Sequence, residues 1–256
     1  MRLVPLGSGS RGNAAVVQLG STNLLVDAGL SARTLAERLE AVGVAPGTID
    51  GVLISHEHSD HTRGVERFSC KHGAPVLCSR ATLEAMDRSP AHFAEWQALG
   101  PGAFDLGDVK IEVFPVPHDA AAPVGFVLHG EGLRVGIATD LGHATTLVRE
   151  RLRGCHVQMV ESNHDDKMLR DGPYPWQLKQ RVAGRLGHLS NREAAAVLGE
   201  TADQACRAVI LAHLSEKNNT PELARRAVAG ALEARGGGEI TVRVATADGP
   251  TAAVEL

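Results

Sequence analysis

Seven residues, Ser55 to His61, read SHEHSDH and follow directly on the apolar run Gly51 to Ile54. Three imidazoles and two carboxylates in so short a span are donors for a transition-metal ion. The mixture suits zinc, manganese or iron better than calcium, which prefers oxygen alone. The chain has twelve histidines, and H-x-H-x-D-H would arise by chance in roughly one sequence in a thousand of this composition. A solvated polar turn is therefore a poor account of it. His56 and His58 flank a single residue and can turn both rings to one cation, while Asp60 and His61 can face a second. Four donors fill only part of two coordination shells, so the rest must come from elsewhere.

Three further candidates each stand at the end of an apolar run. His118 follows VKIEVFPV, Asp140 closes LRVGIATD and His213 closes ACRAVILAH. Singly, each is a polar residue where a strand meets solvent. Together with the cluster they predict convergence on one sheet edge.

The elements that must position them are legible as periodicity. Strand-like runs recur as RLVPL, AAVVQLG, NLLVDAG, GVLISH, APVLCS, VKIEVFPV, VGFVLHG, LRVGIATD, CHVQMVES, ACRAVILAH and EITVRVAT. Helical patterns lie between them. Ser31 is an N-cap candidate before ARTLAERLEAVG, whose Leu35, Leu39 and Val42 share one face. Ser190 precedes NREAAAVLGE, and Thr220-Pro221 opens a helix that Gly236 is placed to stop. Strands dominate the first half and alternate with helices in the second. With no Ser/Gly/Pro-rich linker between the halves, one α/β domain of helix-covered sheets over residues 1–256 is expected.

Composition bounds the partners. With 43% hydrophobic and 22% charged residues the 256-residue chain can bury a full core. Its net charge of -4 and 3% aromatic content mean that a nucleic acid would have to be held by a local basic patch. Cys70, Cys78, Cys155 and Cys206 form no C-x-x-C pair, which favours reduced thiols in a cytoplasmic protein. MRLVPLGSGSRGN carries no signal-peptide core, and no apolar window reaches membrane-spanning length, so no membrane partner is expected.

In order and spacing, HEHSDH, the lone His118, Asp140 and the final His213 resemble the metallo-β-lactamase superfamily. The resemblance implies a four-layer αββα sandwich with two divalent ions (zinc or manganese, with iron as a third option). By position, one ion would take His56, His58 and His118, the other Asp60, His61 and His213, with Asp140 bridging. Asp27, in NLLVDAG, would be the buried support of the histidine loop. A hydroxide bridging the metals is the implied nucleophile, so the reaction is a hydrolysis.

The ligands do not identify the bond that is cut. Glu161 in MVESNHDD, His188 in GHLSN and the final His213 in HLSEKNN follow an order similar to the nuclease branch, which includes ribonuclease Z. There the resemblance implies a Glu and His pair that protonates the leaving oxygen, help that a phosphodiester needs. LGSGSRGN, HEHSDH, ESNHD, GHLSN and HLSEKNN together resemble the WalJ (YycJ)-like group, which implies a 5' to 3' exonuclease acting on DNA ends. Too few residues separate Asp140 from Ser215 for an inserted β-CASP domain. The expected catalytic residues are thus Asp60, Glu161 and His188, with Asp119 and His164 as supports behind the ligands. Two competing readings are a small-molecule hydrolase of the same superfamily (cyclic phosphodiesterase, thioesterase or lactamase) and a metal-binding scaffold without activity.

For the substrate, the stretch after Glu161 is locally basic. Lys167, Arg170, Tyr174 and Trp176 are candidates for a phosphate-binding rim with a stacking aromatic, against the alternative of a solvated helix face whose aromatic anchors on the core. Arg11, in the glycine- and serine-rich turn expected between the first two strands, is a further candidate for a phosphate.

Overall fold

In a computed structural model, residues 1–234 and 239–256 are described. Gly236, the expected helix stop, lies outside them. The first sheet takes β1 (Arg2–Gly7), β2 (Ala14–Leu19), β3 (Thr22–Val26), β4 (Gly51–Leu53), β5 (Val76–Cys78) and β6 (Trp96–Ala98) in sequential order. The second runs from β7 (Gly102–Leu106) through β8 (Val109–Pro115), β9 (Val124–Gly130), β10 (Leu133–Ala138), β11 (Val157–Glu161) and β12 (Ala208–Ala212) to β13 (Thr241–Val244). A short β14 (Val254–Glu255) returns to pair antiparallel with β1.

Alternation along the strands makes the layers. In β12, Ala208, Ile210 and Ala212 enter the core between the sheets, while Val209 and Leu211 face the helices outside. In β1, Leu3 points inward and Val4 and Leu6 outward. Strands buried on both faces read as unbroken apolar runs, which is why these were conspicuous in the sequence. The first sheet is covered by α1 (Ala32–Ala41), the one-turn α2 (Ser59–Thr62), α3 (Val65–His72) and α4 (Arg80–Ala85). Among these, Leu35, Leu39, Val65, Phe68 and Leu83 fill its outer core. Each such fully buried side chain contributes about 1.5–3 kcal/mol. On the second sheet lie α5 (Thr146–Leu152), α8 (Asn191–Thr201) and α9 (Pro221–Ala234), with Val148, Leu152, Leu198 and Val228 in the outer core. The short α6 (Asp166–Asp171) and α7 (Trp176–Val182) fall between β11 and α8. The result is the αββα sandwich.

Three caps form where the sequence placed them. Ser31 accepts from the Thr34 amide, Ser190 closes a reciprocal box with Glu193, and Thr220 Oγ1 accepts from the Leu223 amide. The strands the sequence did not reveal are β6, β7 and β14. All lie at sheet edges, or next to one, and are short or partly exposed, so no apolar period marks them.

Strand direction decides where chemistry can assemble. β3 and β4 are parallel, as are β10, β11 and β12, while β8 and β10 are both antiparallel to β9. The carboxyl ends of β8, β10, β11 and β12 therefore share one edge of the second sheet. Gly29, just beyond β3, passes against the histidine loop so closely that a Cβ there would lie 1.6 Å from the Asp60 carbonyl oxygen. Only glycine fits that approach.

Candidate metal centre

At this edge Asp27 follows β3, His56 follows β4, His118 follows β8 and Asp140 follows β10. Glu161 ends β11 and His213 follows β12. The helical turn of α2 brings Asp60 and His61 back toward the same point. Three of these residues, Asp27, Asp140 and His213, adopt left-handed backbone with φ of 59°, 54° and 55°. That conformation costs roughly 1–2 kcal/mol per non-glycine residue and is held only where surrounding contacts over-determine it.

The donor atoms of His56, His58 and His118 lie within 4.8 Å of one another, and so do those of Asp60, His61 and His213 and those of His56, His61 and Asp140. Behind the rings stands a set of acceptors that fixes their orientation. His61 donates from Nδ1 to Asp27 Oδ2 at 2.8 Å, and His118 from Nδ1 to the Gly187 carbonyl at 3.1 Å. His213 donates from Nδ1 to Glu161 Oε1 at 2.9 Å. The Ser55 hydroxyl donates to Asp27 Oδ2, which leaves its oxygen to accept from His56 Nδ1 at 3.0 Å. In each of these four histidines Nε2 is thereby left for the centre, the arrangement by which metal-binding imidazoles are oriented. His58 is turned the other way, with Nδ1 3.3 Å from His118 Nε2. His56 Nε2 is buried with no hydrogen-bond partner, and the buried Asp140 Oδ2 lies 3.1 Å from His61 Nε2. A buried nitrogen left unpartnered is costly in a protein interior, and with nitrogen and carboxylate groups converging around it the site fits a divalent transition metal.

Charge follows burial and proximity. Burial pushes the Asp60 carboxyl up, but the His213 hydrogen bond and the charges of His61 and His213 prevail and hold it at about 2. For His213 burial acts downward, and Asp140, Asp60 and Glu161 overcome it, raising the imidazole to about 10. His61 is likewise raised well above its ordinary range by Asp140 and Asp27 against its burial. His56 and His118 are lowered, chiefly by burial. A metal ion bound by Asp60, His61 and His213 must displace protons from the two raised rings, whereas one bound by His56 and His118 meets neutral imidazoles near pH 7. Affinity at the first group should therefore rise with pH between the ordinary histidine range and about 10. Calorimetric titration of metal-stripped protein with Zn²⁺ at pH 8, in buffers of differing ionisation enthalpy, should register net proton release. Binding with no protons released would refute the assignment.

The remaining predicted residues separate into those at the centre and those beyond it. His188 donates from Nδ1 to Glu161 Oε1 at 2.7 Å, and Glu161 Oε2 accepts the backbone amides of Leu141 and Leu189 at 3.1 Å each. One fully buried carboxylate thus ties His188 to His213. Burial pushes Glu161 up, yet His188 and His213 bring it down to about 2; in turn Glu161 raises His188 against that ring's own burial. Asp119 lies 3.4 Å from His118 Nε2 and accepts from Arg181 Nε at 2.7 Å. His164 stands apart. It is buried with Nδ1 unpartnered and pairs through its backbone with Ser190, and no hydrogen bond joins it to a ring of the centre among the described residues.

A cleft of about 330 Å³ opens over the cluster. Besides donors it is lined by Ser10, Leu178, Arg181 and Val182, so the second wall comes from α7. The five residues expected to contact substrate are not among those lining it. Arg11 pairs with Glu216 and Asp248, and both Lys167 and Arg170 with Asp171. Tyr174 is half-buried. Trp176 is 66% exposed at the start of α7, which also corrects the alternative that it anchors on the core. The basic stretch was legible, but the self-pairing of its charges was not.

Other contributors carried little signal. Ser55 bridges Asp27 and His56. Asn13 donates to Asp60 Oδ2 at 3.2 Å and approaches His61 Nε2 at 3.0 Å, and Ser8 Oγ accepts the His213 amide at 2.7 Å. The Asn163 amide donates to the His213 carbonyl at 2.8 Å. Each is a small polar residue beside a motif, and only its burial distinguishes it from a turn residue.

Residues 22–214 match the family described as "Beta-lactamase superfamily domain". The chain is 35% identical over 236 residues to a protein of Bacillus anthracis named Exodeoxyribonuclease YycJ, covering 91% of this chain and 89% of that one. It is 35% identical over 225 residues to Exodeoxyribonuclease WalJ of Streptococcus pneumoniae, covering 86% and 83%. Among solved structures, the metallo-β-lactamase fold protein YhfI from Bacillus subtilis superimposes with a TM-score of 0.77 over the full length of both chains at 16% identity, a likeness of fold.

Proposed function

The chain belongs to the metallo-β-lactamase superfamily, within the group of the YycJ and WalJ exodeoxyribonucleases, and on that premise we propose that this metal-dependent hydrolase is a phosphodiesterase that degrades DNA from its ends in the 5' to 3' direction. The observation that carries this reading is the Glu161–His188 pair, 2.7 Å apart at the wall of the cleft. A phosphodiester leaves behind a poor alkoxide unless an acid protonates it, whereas opening a β-lactam needs no such pair.

His56, His58 and His118 would hold one divalent ion and Asp60, His61 and His213 a second, with Asp140 as a further donor; zinc and manganese suit these donors. When bound, such ions supply charge stabilisation at the scissile phosphate and lower the pKa of a water. The chain's own residues do the rest. Asp60, kept ionised, accepts a hydrogen bond and so orients the attacking water. His188, held by Glu161 through Nδ1, gives the proton on its other nitrogen to the departing sugar oxygen. Glu161 favours the protonated form of that ring against its burial. Ser55, Asp27 and Gly187 hold the ligand rings in their tautomers. In this reading residues 1–256 act as one domain, because the donors come from both sheets and neither sheet has a full set. No helix of the described residues is long and apolar enough to cross a membrane.

The test is hydrolysis of a 5'-phosphorylated DNA duplex, its RNA counterpart and bis-p-nitrophenyl phosphate by the manganese-loaded protein. DNA shortened from the 5' end, with turnover of the small diester, is the expected result. Turnover of thioesters or nitrocefin alone would overturn the nuclease reading.

A further inference from the structure

Beyond the metal cleft a second and larger groove, about 800 Å³, runs between the start of α1, the end of α2, α3 and the end of α4. The two cavities share Ser59 of the histidine loop, which places the groove beside the metal cleft. Three arginines line it: Arg63, Arg67 and Arg88. Of its two acids, Glu66 is paired, with Oε2 2.8 Å from Arg88 Nε, and Glu57 turns inward, accepting the Ala121 amide at 2.8 Å through Oε1 with Oε2 buried and unpartnered, so the three arginines outnumber the two carboxylates. Arg63 and Arg67 are exposed and have no carboxylate partner among the described residues. Arg63 is steadied by one bond from Nη1 to the Arg11 carbonyl at 2.9 Å.

This differs from the stretch after Glu161, where Lys167, Arg170 and Arg181 are each paired to an aspartate. In a chain of net charge -4, a pair of unneutralised guanidinium groups four residues apart beside the cleft is a local site for anions. Ala85 and Met86 form an apolar part of the same wall, suited to the sugar or base face of a nucleotide.

We propose that this groove is the track for the phosphate backbone of the nucleic-acid strand whose scissile end lies in the metal cleft, with Arg63 and Arg67 each contacting a phosphate. The inference rests on the phosphodiesterase reading and adds to it the path of the strand away from the centre. Because the arginines contact phosphates and not base edges, the track is indifferent to sequence.

The test uses the full-length, metal-loaded protein with Arg63→Glu and Arg67→Glu combined, and Arg63→Lys with Arg67→Lys as the conservative pair. Binding of a labelled single-stranded oligonucleotide with a hydrolysis-resistant phosphorothioate backbone is followed by fluorescence anisotropy across a salt series, alongside hydrolysis of its unmodified counterpart and of bis-p-nitrophenyl phosphate. With two phosphates of the single strand no longer neutralised, the slope of log affinity against log salt should fall by roughly 1.4, at about 0.7 per phosphate. The lysine pair should restore the slope. Turnover of the small diester, which does not reach the groove, should stay at the wild-type level. An unchanged oligonucleotide affinity and slope in the charge-reversed variant would overturn the track, whatever the small diester does. A wild-type protein that binds the oligonucleotide through these arginines but hydrolyses neither substrate would keep the track and overturn the phosphodiesterase reading.

Discussion

Replacing His188 with alanine is expected to lower kcat for phosphodiester hydrolysis by about 10²–10⁴-fold, the usual contribution of a placed general acid, while the protein keeps its metal ions. The separation of effects follows from geometry. His188 lines the cleft and bonds through Nδ1 to Glu161. Its loss leaves Glu161 still paired with His213 and with the amides of Leu141 and Leu189. The donor rings should therefore stay in position. A pH profile adds a second readout. Burial lowers His188, but Glu161 raises it overall, so the acid form is lost as pH rises through a value above the ordinary imidazole range. The alkaline limb of kcat should accordingly vanish in the variant. Metal content by plasma emission spectroscopy and kcat across pH check both points. Unaltered kcat, or a fall explained by lost metal, would sink the assignment of His188 as the acid.

Asp27→Ala should be the most damaging change behind the centre. Asp27 is 3% exposed and accepts three hydrogen bonds: from the Ser55 amide at 2.8 Å, the Ser55 hydroxyl at 3.0 Å and His61 Nδ1 at 2.8 Å. Removing one partner of a buried pair costs about 3–5 kcal/mol. Alanine also tolerates the left-handed backbone at this position less well than aspartate does. Because Ser55 orients His56 and Asp27 orients His61, both groups of donors lose a support, and metal affinity should fall about 10–100-fold. Asp27→Asn keeps an acceptor for the Ser55 amide but not the charge facing His61, and should lie between the two. Denaturant unfolding of the metal-free proteins, with competitive zinc titration, measures both effects. Wild-type stability and affinity in Asp27→Ala would sink this account of the histidine loop.

The two outcomes differ because a cleft-lining acid and a buried support fail in different ways. Removing His188 takes away a proton donor and leaves the scaffold. Removing Asp27 leaves donors of the right type whose orientation is no longer fixed.

Much of this was written in the order of residues. HEHSDH and the strand-ending His118, Asp140 and His213 marked side chains that converge in the fold, because metal chemistry restricts residue type and a strand's end is where a side chain can leave the sheet. Eleven strand runs and the caps at Ser31, Ser190 and Thr220 were legible for a local reason: apolar period and N-cap bonding act within a few residues. The edge strands β6, β7 and β14 were not, since partial solvation removes the pattern. Charge was illegible where its partner is distant in the chain. Arg11 lies beside glycines and serines in the sequence, yet it is neutralised by Glu216 and Asp248 from the far end of the chain.

Sequence alone therefore determined the kinds of group available, their order along the chain and the sheets that carry them. Tertiary structure decided which groups meet. It gave Glu161 two histidines at once, turned Nε2 of four rings to the centre through Asp27, Ser55, Gly187 and Glu161, and left Arg63 and Arg67 without carboxylate partners beside the cleft while pairing Lys167 and Arg170. Hydrogen bonds and ion pairs between residues far apart in the chain depend on distance in space, which no local pattern encodes.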